Sequence, residues 1–207
     1  MLTQENIIFL ILAYLIGSFP SAVWLGKTFY NKDVREYGSG NAGATNTFRV
    51  LGKKAGIPVL LMDVFKGWFA VYLASFSSAD NIVESQLAFG IAAVIGHLFP
   101  IYTGFRGGKG IATLLGFMIG MEPIASGFCA LIFLISFLIS KYVSLSSIIA
   151  SIAFPLVILF YHYKNPPDES LITFSIFVPI LALITHQKNI ERLIRGEENK
   201  AKFGKNK

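Results

Sequence analysis

The most constraining feature of this sequence is a series of long apolar runs that carry almost no charge. Residues 7–25 contain no charged side chain, and about 20 helical residues are enough to cross a bilayer. Only 14% of the chain is charged and its mean hydropathy is +0.60, whereas a soluble domain has about 25% charged residues. A signal peptide is the alternative for the first run, but no Lys or Arg precedes it and the run is longer than a typical signal. We therefore predict an all-α integral membrane protein.

Seven transmembrane helices are predicted, in one bundle and one domain that covers residues 1–207. Their expected bounds are 5–27, 57–76, 84–101, 110–121, 123–140, 143–163 and 170–188, followed by a basic cytoplasmic tail at 189–207. The stretch from 110 to 140 carries a single charge, Glu122, and is too long for one ordinary membrane helix. We interpret it as a hairpin that turns at Glu122 and Pro123, with at least one short arm.

The basic residues predict the orientation, because Lys and Arg favour the cytoplasmic ends of membrane helices. With the N-terminus outside and seven crossings, all of the 18 basic residues except Lys66 and Lys164 fall in inner loops or the C-terminal tail. The net charge of +6 is then expected to serve topology and attraction to anionic lipid. Nucleic acid is not an expected partner, because the basic tail offers one aromatic residue, Phe203, for stacking on bases.

The first inner segment contains GSGNAG at 38–43, which has the G-x-G-x-x-G spacing of dinucleotide-binding turns. Such a turn follows an apolar strand, whereas YNKDVREY precedes this one, so the Rossmann interpretation fails. The three glycines allow positive φ, and backbone N–H groups in such turns form anion-binding nests. The residues that form or flank this nest are Gly38, Ser39, Gly40, Asn41, Gly43, Thr45, Asn46 and Arg49. We expect anion binding here, with an ordinary flexible loop as the alternative.

A second glycine-rich segment, GHLFPIYTGFRGGKGIAT at 96–113, surrounds Arg106 and Lys109. It is not a P-loop, because Gly rather than Ser or Thr follows Lys109 and no strand precedes it. The chemistry is still similar, since close backbone amides, a Lys and a helix starting near Ile111 all favour a phosphate. His97, at the inner end of the third predicted helix, fits a core role and a functional role equally well.

Two further inner segments supply polar side chains. His186, Asn189 and Arg192 recur every three residues at the end of the last predicted helix, on roughly one face, although a solvated tail is the alternative. Ser144, in YVSLSS at 142–147, either caps the following helix or donates to a phosphate. The ligands that fit these segments are water-soluble anions and lipids with phosphate heads.

One acidic and one basic side chain lie within the apolar run of the second predicted helix. Asp63 and Lys66 lie three residues apart on one helix face, where structural pairing and a functional role are equally compatible with the sequence. No paired acidic residues occupy the inner loops, so neither a metal site nor a cofactor is expected. A transporter or channel for a phosphorylated small molecule is the alternative function class. The short, featureless outer loops disfavour it, because a transporter needs access from both sides.

The segments GSGNAGATNTFR, GHLFPIYTGFRGGKGIAT and HQKNIERLIRGEENK resemble the three cytoplasmic motifs of the bacterial membrane acyl-phosphate:glycerol-3-phosphate acyltransferases, the PlsY family. YLIGSFPSA, MDVFKG and YVSLSS are similar to the family too, so the resemblance covers nearly the whole chain. It implies transfer of a fatty acyl group from acyl phosphate to the sn-1 hydroxyl of glycerol 3-phosphate, with lysophosphatidic acid and phosphate as products. This reaction is the first step of bacterial phospholipid biosynthesis, performed at the cytoplasmic face of the inner membrane. A soluble enzyme that makes acyl phosphate is the implied partner.

The resemblance also implies roles for individual residues. The implied catalytic residues are Ser39, Arg49, Lys109, His186 and Asn189. The implied substrate-binding residues are Gly38, Gly40, Asn41, Gly43, Thr45, Asn46, His97, Gly107, Gly108, Gly110, Ser144, Arg192 and Glu198, the last aligned in preference to Glu197. The 107–110 segment would hold the acyl phosphate, and a substrate phosphate rather than His186 would take the proton. Because acyl phosphate is already an activated mixed anhydride, no acyl-enzyme is required.

Overall fold

Ten α-helices, three short 3₁₀ helices and no strands make up the regular structure of residues 3–77 and 82–201, which are the residues that the computed structural model describes. The helices are α1 (Gln4–Ser18), α2 (Ser21–Tyr30), α3 (Ala44–Leu51), α4 (Lys53–Tyr72), α5 (Ile82–Leu98), α6 (Ile111–Met121), α7 (Pro123–Ser140), α8 (Val143–Tyr161), α9 (Glu169–Thr185) and α10 (Gln187–Ile194). The all-α prediction is confirmed for this part of the chain. The end of the predicted basic tail, from residue 202 onward, lies outside the described residues.

Four helical segments among these residues are long and apolar enough to cross a membrane. They are Lys53–Phe76, Ile82–Thr103, Pro123–Ser140 and Val143–Tyr161. The number rises to six when the bent pairs α1–α2 and α9–α10 are each counted as one span, and α6 is a shorter apolar helix. Length and composition therefore support an integral membrane protein, while the count of seven crossings and their orientation stay predictions.

The first predicted helix, 5–27, is wrong as a single helix. The chain breaks at Phe19 and Pro20, and α1 and α2 meet at a bend of 42°. Proline lacks the N–H of the helical ladder and forces the residue before it out of the helical region, and Phe19 accordingly has ψ 117°. The Phe19 carbonyl instead accepts hydrogen bonds from Ser21 N at 3.0 Å and Lys66 Nζ at 3.1 Å.

The last predicted helix, 170–188, is also two helices. Helix α9 ends at Thr185, and α10 continues at an angle of 64° to Ile194, six residues beyond the predicted end of the helix at 188. His186 lies at the bend, outside the helical region at φ −106° and ψ 11°. A further difference lies in the first inner segment, where α3 follows the glycines and α4 begins at Lys53, four residues before the predicted start at 57. The predicted break at Glu122 and Pro123 is confirmed, with α6 as the short arm.

The chain divides into two compact units, Met1–Pro123 and Ile124–Lys207. Within the first unit, glycines let pairs of helices approach closely, as is common between membrane helices. A methyl group on Gly67 of α4 would overlap the Thr113 carbonyl of α6, and one on Gly116 of α6 would overlap the Val64 carbonyl of α4. Within the second unit, α8 and α9 bury apolar side chains, which include Phe154, Ile158, Leu171, Val178 and Ala182.

Candidate active site

The first glycine loop, residues 38–43, is shaped by the buried side chain of Asn46. Asn46 Oδ1 accepts a hydrogen bond from Ser39 N at 2.9 Å, and its Nδ2 donates to Val34 O at 2.7 Å and Tyr37 O at 3.1 Å. A methyl group on Gly38 would overlap Asn46 Oδ1. The structure therefore uses the Asn46 side chain to hold the loop, rather than presenting it to a ligand.

Two of the three glycines in this loop use the positive φ that glycine allows. Gly38 and Gly40 have φ values of 63° and 71°, in the left-handed region that favours glycine. Gly43 does not, since its φ is −119° and it serves as the N-cap of α3. Asn41 lies half-buried beside Gly43, with its Oδ1 3.1 Å from the position of a Cβ on that glycine.

The exposed side of the first glycine loop carries the groups that an anion site requires. Ser39, Thr45 and Arg49 are all exposed. Thr45 and Arg49 lie one turn apart on α3 and so share a helix face. Arg49 Cδ lies 3.4 Å from the position that a Cβ on Gly38 would occupy, so its side chain runs beside the loop. A hydroxyl, a guanidinium and loop amides are thus available together.

The second glycine loop, residues 104–110, leads directly into α6. Gly104, Phe105 and Gly110 have φ values of 65°, 60° and 80°. Gly110 is the N-cap of α6, which confirms the predicted helix start near Ile111. Lys109, half-buried, precedes this cap, next to the end of the helix that attracts anions.

Gly107 and Gly108 are required by the close approach of His97. A methyl group on Gly107 would overlap the His97 carbonyl oxygen, and one on Gly108 would overlap His97 Nε2. Gly108 N also donates a hydrogen bond to His97 O at 3.1 Å. His97 therefore determines where the backbone of the second glycine loop runs.

The two glycine loops contact each other within the first unit. Ala42 N donates to Gly107 O at 3.4 Å, and Arg35 Nη1 donates to Thr103 O at 3.0 Å. Arg35 is itself held by both carboxylate oxygens of Asp33, at 3.0 and 2.8 Å. The structure thus brings together the two segments that the sequence assigns to anion binding.

Asp33 and Arg35 lie beside the two glycine loops, and the sequence did not single them out. The Arg35 guanidinium beside Asp33 holds the pKa of that carboxyl well below its usual range, with Lys27 Nζ 3.3 Å away as a second cation. The available signal was the spacing of an Asp two residues before an Arg in KDVRE, where the side chain accepts from the Arg35 N–H and caps a short turn.

A buried polar cluster, composed of Ser21, Asp63, Lys66 and His97, lies in the same unit. Lys66 Nζ is 3.0 Å from Asp63 Oδ1, Ser21 Oγ donates to the same oxygen at 2.9 Å, and His97 Nδ1 lies 3.6 Å from it. The structural pairing of Asp63 with Lys66 is confirmed. The sequence did not reveal that Ser21 and His97 join them.

A small cavity is lined by residues of both the buried polar cluster and the second glycine loop. Its volume is about 10 Å³, room for about one water molecule. Ser18, Lys66, His97, Gly107 and Gly108 are among the residues that line it. The cluster and the loop therefore converge on one point.

In the second unit, three predicted site residues surround the carboxylate of a fourth, Glu198. Glu198 Oε1 accepts hydrogen bonds from Ser144 Oγ at 2.9 Å and Asn189 Nδ2 at 2.7 Å, and Glu198 Oε2 accepts from Arg192 Nε at 2.7 Å. Glu197 is exposed instead. Glu198 is thus the acidic residue of this segment that contacts the other predicted residues, in agreement with its alignment.

The hydrogen bonds to Glu198 also change its acidity. Burial acts to raise the pKa of this carboxyl, but the hydrogen bonds from Asn189, Arg192 and Ser144 outweigh burial and lower the pKa below its ordinary value. Glu198 therefore stays ionised at neutral pH and holds α8, α10 and the chain after α10 together.

His186 occupies the bend between α9 and α10 and is buried. Its Nδ1 lies 2.8 Å from the Ala182 carbonyl oxygen, which can only accept, so Nδ1 carries a proton and Nε2 is the acceptor nitrogen when the ring is neutral. His186 is the N-cap of α10, so His186, Asn189 and Arg192 keep their three-residue spacing along α10, after the bend. The residues still adjoin, since Asn189 N donates to His186 O at 2.8 Å.

Comparison with known proteins identifies the family. Residues 7–196 match the family described as glycerol-3-phosphate acyltransferase. The glycerol-3-phosphate acyltransferase of Enterococcus faecalis is 42% identical over 97% of this chain and 94% of its own length, and that of Listeria welshimeri is 45% identical over 98% and 100%. The solved structure of PlsY (YgiH) in its glycerol 3-phosphate form has a TM-score of 0.85 at 35% identity over 96% of each chain. Its lysophosphatidic acid form has a TM-score of 0.82 at 34% identity.

Apolar membrane-length helices and two joined glycine loops place the protein, with these relatives, in the class of integral membrane acyltransferases. The chain belongs to the glycerol-3-phosphate acyltransferase family, which confirms the resemblance seen in its three motifs.

Proposed function

We propose that the protein transfers a fatty acyl group from acyl phosphate to the sn-1 hydroxyl of glycerol 3-phosphate. The products are lysophosphatidic acid and inorganic phosphate. The observation that carries the proposal is the contact between the two glycine loops through Ala42 and Gly107. Both substrates carry a phosphate, and two adjoining anion-binding loops suit two phosphates that must react beside each other. The glycerol 3-phosphate and lysophosphatidic acid forms of PlsY support the choice of acceptor and product.

Each glycine loop binds a different substrate in this proposal. The second glycine loop holds the acyl phosphate with the amides of 107–110, while Lys109 stabilises charge that develops on the carbonyl or the leaving phosphate. The first glycine loop, with Ser39, Thr45 and Arg49, binds phosphate and orients the glycerol. Family motifs assign His186 and Asn189 of the second unit to the same task, with Ser144, Arg192 and Glu198 around them.

The chemical step needs no acyl-enzyme. The sn-1 hydroxyl oxygen attacks the carbonyl carbon of the acyl phosphate, the bond from that carbon to the phosphate oxygen breaks, and the hydroxyl proton passes to a substrate phosphate. His186 is the competing base, because its Nε2 is the acceptor nitrogen of the ring. A pH–rate profile decides between them. A His186→Asn variant that binds both substrates but loses one limb of the profile would assign the proton to His186.

The first experiment tests the donor and the second glycine loop together. Purified protein is mixed with glycerol 3-phosphate and either palmitoyl phosphate or palmitoyl-CoA, and phosphate release and lysophosphatidic acid are measured. We expect product from palmitoyl phosphate alone. Lys109→Ala should lower kcat by about 10²- to 10³-fold, the usual effect of removing one group that stabilises transition-state charge.

Lys54→Ala is the matched control, because Lys54 is exposed and lies in α4, outside both loops. It should retain the wild-type rate. Turnover with palmitoyl-CoA would contradict the proposed donor. The absence of product from folded protein supplied with lipid would contradict the enzymatic reaction and favour flux measurements in vesicles.

A further inference from the structure

The buried polar cluster lies inside the apolar part of the chain. Asp63 is 1% exposed, Lys66 5% and His97 6%, and Asp63 and Lys66 belong to a helix of membrane-spanning length. Charged groups in such a position are costly and usually functional. A buried ion pair is weak evidence for stability, because well-packed apolar residues can often replace it without loss. Stability alone therefore does not account for the pair.

His97 connects this ion pair to the second glycine loop. Its Nδ1 faces Asp63 Oδ1 at 3.6 Å, while its Nε2 side packs against Gly108 so closely that a methyl group there would overlap the ring. Its own carbonyl accepts the Gly108 N–H at 3.1 Å. The imidazole and the His97 carbonyl thus both lie against the backbone that immediately precedes Lys109.

The ion pair also secures the helix break at the other side of the cavity. Lys66 Nζ donates to Phe19 O at 3.1 Å, and Asp63 Oδ1 accepts from Ser21 Oγ at 2.9 Å. Phe19, Ser21, Lys66 and His97 all line the cavity that borders Gly107 and Gly108. The Asp63–Lys66 pair thus contacts the break between α1 and α2 directly, and it contacts the second glycine loop through His97.

We propose that Asp63 and Lys66 are positioning residues that hold His97, and through it the Gly107–Gly108 backbone, in the conformation that binds acyl phosphate. This inference rests on the proposed function, which assigns the acyl phosphate to the second glycine loop. Amide donors stabilise an anion best when they are already oriented toward it, so the residues that orient them contribute to binding without touching the substrate. The first glycine loop, which we assign to glycerol 3-phosphate, meets this arrangement through the 3.4 Å hydrogen bond from Ala42 N to Gly107 O, so its phosphate-binding groups should be disturbed less.

The test measures both Michaelis constants in variants that preserve volume. Asp63→Asn combined with Lys66→Met removes both charges at once, so no unpaired charge is left in the membrane. His97→Leu removes only the imidazole and leaves the ion pair in place. Each should raise the KM for acyl phosphate by about 10- to 100-fold, as expected for a small misplacement of binding groups, with the KM for glycerol 3-phosphate changed less than about twofold.

Ser18→Ala is the matched control. Ser18 is fully buried and lines the same cavity, but its hydroxyl has no hydrogen-bond partner among the described residues. It should keep both wild-type KM values. Thermal unfolding in detergent verifies that each variant is folded, and His97→Leu decides the question if the double variant does not fold.

The outcomes separate this inference from the proposed function. An inactive wild-type protein with acyl phosphate would contradict the proposed function itself. An active wild type with folded variants that keep the wild-type KM for acyl phosphate would overturn the positioning role. An equal rise in both Michaelis constants would overturn it too, because a general loosening of the fold does not select one substrate.

Discussion

At the scale of single residues, two buried polar side chains organise the exposed ones. Asn46 makes three hydrogen bonds that shape the first glycine loop, and Glu198 accepts three that gather predicted site residues of the second unit. The hydrogen-bond partners of both side chains lie at least six residues away along the chain. Ser39, which is exposed, is held in place by the hydrogen bond from its backbone N–H to the buried Asn46 Oδ1.

The lowered pKa of Glu198 makes a prediction about acid stability. A carboxyl whose pKa is depressed in the folded state contributes stability that is complete above the unfolded value and is lost as the pH falls through the folded value. Wild-type Tm in detergent should therefore fall as the pH drops below 4.5, the ordinary glutamate value. Glu198→Gln should have a lower Tm at neutral pH and a weaker pH dependence, because its amide opposes the Arg192 donor.

Glu197→Gln is the control for this titration, since it alters the exposed neighbour at the same chain position. It should follow the wild-type curve. The pKa of Asp33 is also lowered, so this residue adds the same pH dependence of Tm to all three proteins. An unchanged acid dependence in Glu198→Gln would show that the carboxylate does not stabilise the fold.

At the scale of helices, close packing depends on glycines that face a neighbouring backbone. Gly67 of α4 and Gly116 of α6 each oppose a carbonyl of the other helix, so these two helices approach more closely than side chains would permit. The start of α6 bears the second glycine loop, and α4 bears Asp63 and Lys66. The contact between these helices therefore sets the distance between the loop and the buried polar cluster.

Gly67→Ala should destabilise the protein, because its methyl group meets the backbone of Thr113 rather than a side chain that can move. We expect a loss of about 1–3 kcal/mol, measured as a lower Tm in detergent, as for other overpacked cores. Gly127→Ala is the control, since Gly127 is also helical but has nothing within 4 Å of an added Cβ. Equal Tm changes in the two variants would contradict the proposed close packing.

At the scale of the whole molecule, the distribution of charge predicts which side of the membrane carries the reaction. Both glycine loops and most of the Lys and Arg residues belong to segments expected on the inner side. Glycerol 3-phosphate is a charged solute, so a site on that side would receive it from the cytoplasm, while the acyl chain stays in lipid.

Single-cysteine labelling tests this orientation. In a Cys129→Ala background, we expect Tyr163→Cys, at a position 84% exposed after α8, to react with a membrane-impermeant maleimide in intact spheroplasts. Lys54→Cys, also exposed but in the predicted inner part, should react only after lysis. The opposite pattern would reverse the orientation and place the proposed reaction outside the cell.

Most of the helical architecture was predictable because lipid imposes a local rule. A membrane helix must be apolar along its length, so the 110–121 and 123–140 predictions agree with α6 and α7 to within one residue. The break at Phe19 and Pro20 was not predicted, although Pro20 was its signal, because the residues on both sides stay apolar. The bend at His186 left no such signal.

The sequence by itself determined the class of protein and the kinds of residue in its site, since apolar runs, glycines and cations carry that information locally. Only the tertiary structure decided which of them meet. Ser144 and Glu198 are 54 residues apart, and Ser21 and Asp63 are 42 apart, yet each pair is joined at 2.9 Å. Such contacts depend on where distant helices pack against each other, and no local pattern in the chain records that.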